Sequence, residues 1–296
     1  MKQKMKHLCA ALSAMILTSC LVIAKNAGAQ TVGLSFSATQ KWLPYFLDLA
    51  KGREKEKGAL LLLPEPPKNN SREVKAELAQ LVEFQAKRNE GWINQILIEK
   101  DINNAVFGEF ELDDHEQLLT PVGSLVYVFL HQSMGELFAQ KKKFDRIRPH
   151  ILSQKLEGAK PLQTLIETPF HPAYPSGHSF QAHGIALLLA QIAPEQAGAV
   201  NCDATRIAVG REVAGVHYAS DSAAGANLAK AYMTNWFKRP EVKAQIAEAS
   251  AWWKQNRDKF LAERAFRKRR LPVDLKAPCT LDSTRKAFLQ SVAKSL

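Results

Sequence analysis

The chain has 296 residues, with 40 Lys and Arg against 29 Asp and Glu and a formal net charge of +11. A composition that is 46% hydrophobic and 23% charged can bury a core, which excludes disordered, collagen-like and low-complexity classes. Four cysteines, with no Cys-x-x-Cys pair among them, exclude a disulfide-dense mini-scaffold and a sulfur-ligated zinc ribbon.

Residues 1–29 read as an export signal. Lys2, Lys4 and Lys6 form a basic start, an apolar stretch runs from Leu8 to Ala24, and Ala27-Gly28-Ala29 is a small-x-small cleavage site. Its removal takes four Lys and no acid, so the net charge of +11 falls to +7. Leu17-Thr18-Ser19-Cys20 offers a rival cut that would leave Cys20 acylated. A periplasmic location is expected, with full secretion or lipid anchoring through Cys20 as the alternatives. No later stretch reaches 18 uninterrupted apolar residues, so no membrane span is expected in the mature chain. In an oxidising compartment the two remaining cysteines, Cys202 and Cys279, are candidates for a disulfide.

Apolar residues recur at three- and four-residue spacing, and continuous β-branched runs are scarce, which predicts an all-α chain. The expected organisation is one compact helical domain over residues 30–250, followed by a helical extension or tail over 251–296. Leu63-Pro64-Glu65-Pro66-Pro67 breaks the first third. Helices are predicted over 71–88, 121–143, 177–193, 203–218, 221–236 and 240–265. The basic run Arg267–Arg270 lacks aromatic interleaving and is read as a solvated face, so no nucleic-acid partner is expected.

Three short segments carry the chemistry. In the first, Lys141 and Arg148 stand seven apart, about 20° of rotation on a helix, which would place them on one face two turns apart. Pro149 would end that helix at Arg148, and Asp145 lies between them. The second, Tyr174-Pro175-Ser176-Gly177-His178-Ser179, precedes an apolar helical run. Ser176 is placed as an N-cap, and Gly177 lets a ligand approach the backbone N–H groups of a helix N-terminus, which favours anions. His178 beside it can deliver a proton. In the third, Arg211-x5-His217-x3-Asp221, a carboxylate four residues after the imidazole can hold Nδ1–H and leave Nε2 as a lone pair, provided the helix continues. Arg211 adds a planar fork matched to a phosphate edge. Taken singly, each segment also fits a surface salt bridge or a plain capped helix. All three occur once and in order, which does not look like chance.

Together the three segments resemble the signature of the PAP2 superfamily, the acid and lipid phosphatases that share a site with vanadium haloperoxidases. Within it the chain is similar to the exported bacterial class A non-specific acid phosphatases, through the Pro-rich start at Leu60–Pro67, the Arg146-Ile147-Arg148-Pro149 string and the region Phe237–Gln245. It departs from them at Gly210, His150, Pro172-Ala173 and Ser179, where the family usually has Ser, Phe, Gly-Ser and Thr, changes that bear on substrate preference. The resemblance implies a PAP2-type helical bundle and hydrolysis of small phosphomonoesters through a phosphohistidine. His217 would be the nucleophile, Asp221 its orienter and His178 the acid and base. Lys141, Arg148, Arg211, Ser176 and Gly177 would bind phosphate, with no metal, no cofactor and sensitivity to vanadate. Phosphotransfer to an alcohol and a homo-oligomer are left open. The rival readings are a lipid or prenyl phosphate phosphatase, a vanadate-dependent haloperoxidase and a catalytically silent phosphate-binding protein. Of the other histidines, His131 and His183 are read as core or surface residues, His150 and His171 as candidates for the pocket rim, and His115 has no partner spacing.

Overall fold

Capping residues and apolar spacing set the helices of the computed structural model, which describes residues 34–56, 58–112, 119–264 and 279–293. The export signal, Cys20, His115 and the Arg267–Arg270 cluster lie outside the described residues. A short α1 (Phe36–Thr39) and α2 (Pro44–Lys55) lead into the extended Pro-rich segment. Ser71 and Asn89 then cap α3 (Arg72–Ala86) and α4 (Glu90–Ile98) by accepting from Val74 and Trp92 N–H. A small antiparallel hairpin, β1 (Val106–Phe107) and β2 (Phe110–Glu111), pairs Phe107 with Phe110. Next come α5 (Pro121–Phe144), α6 (Pro149–Ser153), α7 (Gly177–Ile192), α8 (Ala197–Val213), α9 (Ala219–Trp236), α10 (Pro240–Arg264) and α11 (Leu281–Ala293). Residues 31–296 form one unit. No helix among the described residues is long and apolar enough to cross a membrane.

At the centre lies α7, packed against α5, α8, α9 and α10. One core gathers Phe129, Phe180 and Trp236, and a second gathers Phe84, Trp92, Val213 and Phe288; each large apolar side chain buried there contributes roughly 1.5–3 kcal/mol. Close helix approach depends on small residues. A Cβ at Gly184 would overlap the Phe129 ring, and one at Gly225 of α9 would stand 2.6 Å from the Ser176 carbonyl oxygen.

Two helices differ from expectation, and both differences reshape the site. The helix bearing Lys141 stops at Phe144, within a residue of the predicted 121–143 span, and does not continue to Arg148, because Asp145 turns left-handed (φ 44°) and its carboxylate accepts the Ser37 N–H and hydroxyl at 2.9–3.2 Å. Lys141 and Arg148 therefore do not share one helical face: Arg148 is the N-cap of α6. The helix predicted over 203–218 begins at Ala197 and ends at Val213, where Gly215 adopts φ +77°, a conformation that favours glycine. His217 consequently lies in the turn before α9.

The C-terminal residues join the same core. α10 runs through position 250. Cys202 and Cys279 are bonded, with Cα atoms 4.9 Å apart. Arg285 of α11 forks onto Glu212 at 2.7 and 2.8 Å, and Phe288 stacks edge-on against Phe84 and Trp92.

Candidate active site

Five elements bring the expected residues together: the end of α5, the N-cap of α6, the first turn of α7, the last turn of α8 and the first turn of α9. The first turn of α9 fixes the central pair. Asp221 is its third residue and fully buried, and its Oδ2 accepts both the Tyr218 N–H at 3.0 Å and the His217 Nδ1–H at 3.0 Å. The predicted contact thus forms through helix capping rather than along a continuous helix face. The proton assignment follows from the partners. Arg148 Nη1 stands 3.1 Å from His217 Nε2, and a guanidinium only donates, so Nε2 holds the lone pair and Nδ1 the hydrogen.

Three buried cations surround this imidazole. Lys141 Nζ donates to the carbonyls of Pro172, Ala173 and Pro175 at 2.9, 3.3 and 2.6 Å. An ammonium has three donors, so Lys141 spends all of them on the 172–175 strap and supplies charge. Arg148 is likewise spent, on the carbonyls of His171 and Val216 and on the two histidine rings. Arg211 differs. Its side chain is buried, and its Nε and Nη1 have no hydrogen-bond partner. Burial lowers all three. It carries Lys141 well below its ordinary value with help from Arg148, Arg148 to about 10, and Arg211, again with Arg148 beside it, to about 9.

Ser176 caps α7 by accepting the Ser179 N–H, and its own N–H bonds the Asp221 carbonyl at 2.9 Å. The first N–H groups of this helix project from its N-terminus. A Cβ on Gly177 would meet no protein atom closer than Leu137 Cδ2 at 3.6 Å, so packing does not require glycine there. His178 Nε2 donates to the Lys100 carbonyl at 3.0 Å, and the Glu99 backbone also bonds to the ring. Burial, then Arg211 and other cations, holds His178 well below the ordinary imidazole value; burial, then Arg148, Lys141 and Arg211, does the same to His217.

Several participants were not singled out from the sequence. Arg146, read only as part of a motif string, donates to Asp221 Oδ1 at 2.5 Å. Glu77 on α3 accepts from Arg146 Nη2 at 3.1 Å. His171, expected at the pocket rim, is buried and sits against Arg148 at 3.1 Å and between Phe46 and Phe138. Behind Arg211, Glu99 receives Arg206, which also binds Asp203 at 3.0 Å. The one available signal was Arg146 two positions before Arg148, since alternate residues of an extended stretch point to the same side. Of the remaining histidines, His150 is pushed by burial and Arg148 down to about 4 with Nδ1 unpartnered, His183 bonds the Ser179 carbonyl at 2.8 Å, and His131 stacks on Tyr127. Among the described residues no three His, Cys, Asp or Glu side chains cluster as metal ligands.

No curated protein matches the chain. Among solved structures, a bacterial vanadium-dependent iodoperoxidase aligns over 72% of this chain and 61% of its own, with 12% identity and a TM-score of 0.44, so this chain spans about three fifths of that protein's length. A transmembrane PAP2-type phosphatidylglycerolphosphate phosphatase from Bacillus subtilis aligns over 66% of this chain and 92% of its own, with 17% identity and a TM-score of 0.40. The family model of the PAP2 superfamily matches residues 121–241, from the start of α5 to the first turn of α10. All three site segments fall inside that span, so the part of the chain that holds them is similar to the PAP2 superfamily.

Proposed function

We propose that this protein is an exported, metal-independent acid phosphatase that hydrolyses small phosphomonoesters through a phosphohistidine. The observation that carries the reading is Arg211: a buried guanidinium with two unspent donors, near enough to the His217 imidazole for its charge to oppose protonation of that ring. A buried cation of this kind is costly unless an anion completes it. A phosphate edge matches the fork.

In the proposed reaction His217 Nε2 attacks phosphorus, the phosphorus–oxygen bond to the leaving alcohol breaks, and His178 gives that oxygen a proton. Water then attacks the phosphohistidine, His178 takes its proton, and the phosphorus–nitrogen bond breaks to release orthophosphate. Arg211, the Ser176 hydroxyl and the first N–H groups of α7 bind the equatorial oxygens. Lys141 acts chiefly through charge and through the strap it holds. Arg148 parks its Nη1 on the His217 lone pair and transfers that donor to a phosphate oxygen when the nucleophile is used. The bound dianion offsets the cations that depress His178, so substrate itself raises the acid's pKa. Protonated His178 is then favoured toward acid pH, which is the basis for an acid optimum. A periplasmic location rests on the composition of residues 1–29.

Hydrolysis of p-nitrophenyl phosphate from pH 4 to 8, with EDTA, with vanadate and with His217→Ala, tests the proposal. Turnover that resists EDTA, is inhibited by vanadate and disappears in the variant is expected. A folded wild type without turnover, or one silenced by EDTA, overturns it.

A further inference from the structure

The His217–Asp221 pair is the end of a longer chain of buried charges. Arg146 stands behind Asp221, and its Nη1 donates to Asp221 Oδ1 at 2.5 Å and to the Ser220 hydroxyl at 2.7 Å. Its Nη2 donates to Glu77 Oε2 at 3.1 Å, while Glu77 Oε1 accepts the Ser220 N–H at 2.6 Å. The guanidinium carbon lies 3.9 Å above the Tyr218 ring. One side chain thus ties α3 to the turn that carries the imidazole, and its position is fixed on three sides.

That arrangement divides the Asp221 carboxylate between two jobs. Oδ2 faces the His217 Nδ1–H and the Tyr218 N–H, and Oδ1 faces Arg146. An uncompensated carboxylate against an imidazole favours the imidazolium, which has no Nε2 lone pair and cannot attack phosphorus. We propose that Arg146, anchored by Glu77, is a positioning residue for His217: it locks the carboxylate that orients the ring and offsets its charge, so the imidazole stays neutral at acid pH. The inference rests on His217 as the nucleophile. It deepens the proposed function by saying how an ion pair that should protonate the nucleophile is kept from doing so.

The other charged and titratable groups facing His217 are Lys141 from α5, Arg148 at the α6 N-cap, His178 from α7, Arg211 from α8 and His171 from the intervening loop. Each of the cations opposes protonation of His217, and the Asp221 carboxylate bonded to its Nδ1–H favours it. Arg146 touches Asp221 and not His217, so its effect passes through the carboxylate. Burial would lower Arg146 itself, but Asp221, Tyr218 and Glu77 outweigh burial and raise it. It remains a cation throughout any practical pH range.

The test is a nitrogen-15 NMR titration of histidine-labelled full-length protein from pH 4 to 8, with the His217 resonances identified by their loss in His217→Gln. In the wild type His217 stays a neutral Nδ1–H tautomer to pH 4. In Arg146→Gln its pKa rises by at least about one unit, into the measured range, the size expected for losing one compensating charge near a carboxylate. Arg146→Lys, a point charge in place of a fork, shifts it in the same direction by less, and this variant decides the matter if the glutamine protein does not fold. A folded variant whose His217 titrates as in the wild type overturns the inference, because a merely structural ion pair would leave that titration in place. In the active enzyme the acid limb of kcat/KM moves up by the same amount, with about tenfold less turnover at acid pH per unit. A wild type without phosphatase activity would remove the proposed function, while the NMR titration would still decide whether Arg146 governs His217.

Discussion

Asp221→Asn is the most informative substitution in the site, because the hydrogen bonds around the carboxylate leave an amide no good orientation. Oδ1 receives Arg146, and Oδ2 receives both the Tyr218 N–H and the His217 Nδ1–H. With the amide NH2 in the Oδ1 position, it opposes the Arg146 donor at 2.5 Å. In the Oδ2 position it opposes the Tyr218 N–H and forces His217 to accept at Nδ1. The proton then moves to Nε2, where it faces Arg148 and removes the nucleophilic lone pair. Loss of the orienting carboxylate in a comparable hydrogen-bonded catalytic pair costs about 10⁴-fold in kcat; here a loss of about 10³ to 10⁴ is expected, or about 4 to 5.5 kcal/mol. Breaking a buried ion pair costs a further 3–5 kcal/mol of stability by general experience, about the middle of that range here because Glu77 still faces Arg146. The assay is kcat for p-nitrophenyl phosphate, measured well below the melting temperature and paired with histidine NMR to read the tautomer. A folded Asp221→Asn protein that keeps more than a tenth of wild-type kcat would refute the capping-based account of the pair.

Other consequences are equally open to measurement. Gly177→Ala adds a Cβ with no close protein neighbour, so the melting temperature should hold or rise slightly while vanadate inhibition weakens; unchanged inhibition would remove the α7 N-terminus from the anion site. Gly225→Ala drives a Cβ into the Ser176 carbonyl at 2.6 Å and should cost about 1–3 kcal/mol, together with activity; a melting temperature equal to that of the wild type would contradict the α7–α9 packing. Reduction of Cys202–Cys279, which closes 77 residues, should cost roughly 4.5 kcal/mol on the chain-entropy account, read as a drop in urea midpoint. The pH dependence of stability follows from His150, His171, His178, His183 and His217, all lowered by burial, against Glu99 and Glu212, which burial raises. Below about pH 6.5 the unfolded chain binds histidine protons that the native state refuses, so stability falls with acid down to about pH 4, the two carboxylates opposing in part. Orthophosphate should restore more stability at pH 5 than at pH 7.5, and a melting temperature that rises on acidification without it would reverse the assignment.

The three segments that meet at the candidate site, the all-helical class and most helix spans were legible in the sequence, because each depends on local chemistry. Apolar residues at helical spacing, Ser176 before Gly177 and a carboxylate four residues after His217 act over one or two turns of chain. Even there the continuation of one helix to Arg148 failed, and the span of another was misplaced. Asp145 turns left-handed with its carboxylate on Ser37, 108 residues away in sequence, a contact that propensity does not encode. The Gly215 turn then moved His217 off the helix, and the pairing with Asp221 formed by capping instead.

Tertiary structure alone decided how the cations are used. Lys141 and Arg148 looked equivalent to Arg211 as phosphate ligands, yet the first two spend their donors on carbonyls and histidine rings while Arg211 keeps two unspent. Glu77 and Arg146 were invisible as partners of Asp221 for the same reason: they stand 144 and 75 residues from it along the chain, and nothing local marks them. Residue type and short spacing fix which chemistry a segment can offer. Which donors are already satisfied, and which carboxylate offsets which cation, depends on burial and on groups far apart in sequence, and these acquire values only once the helices have packed.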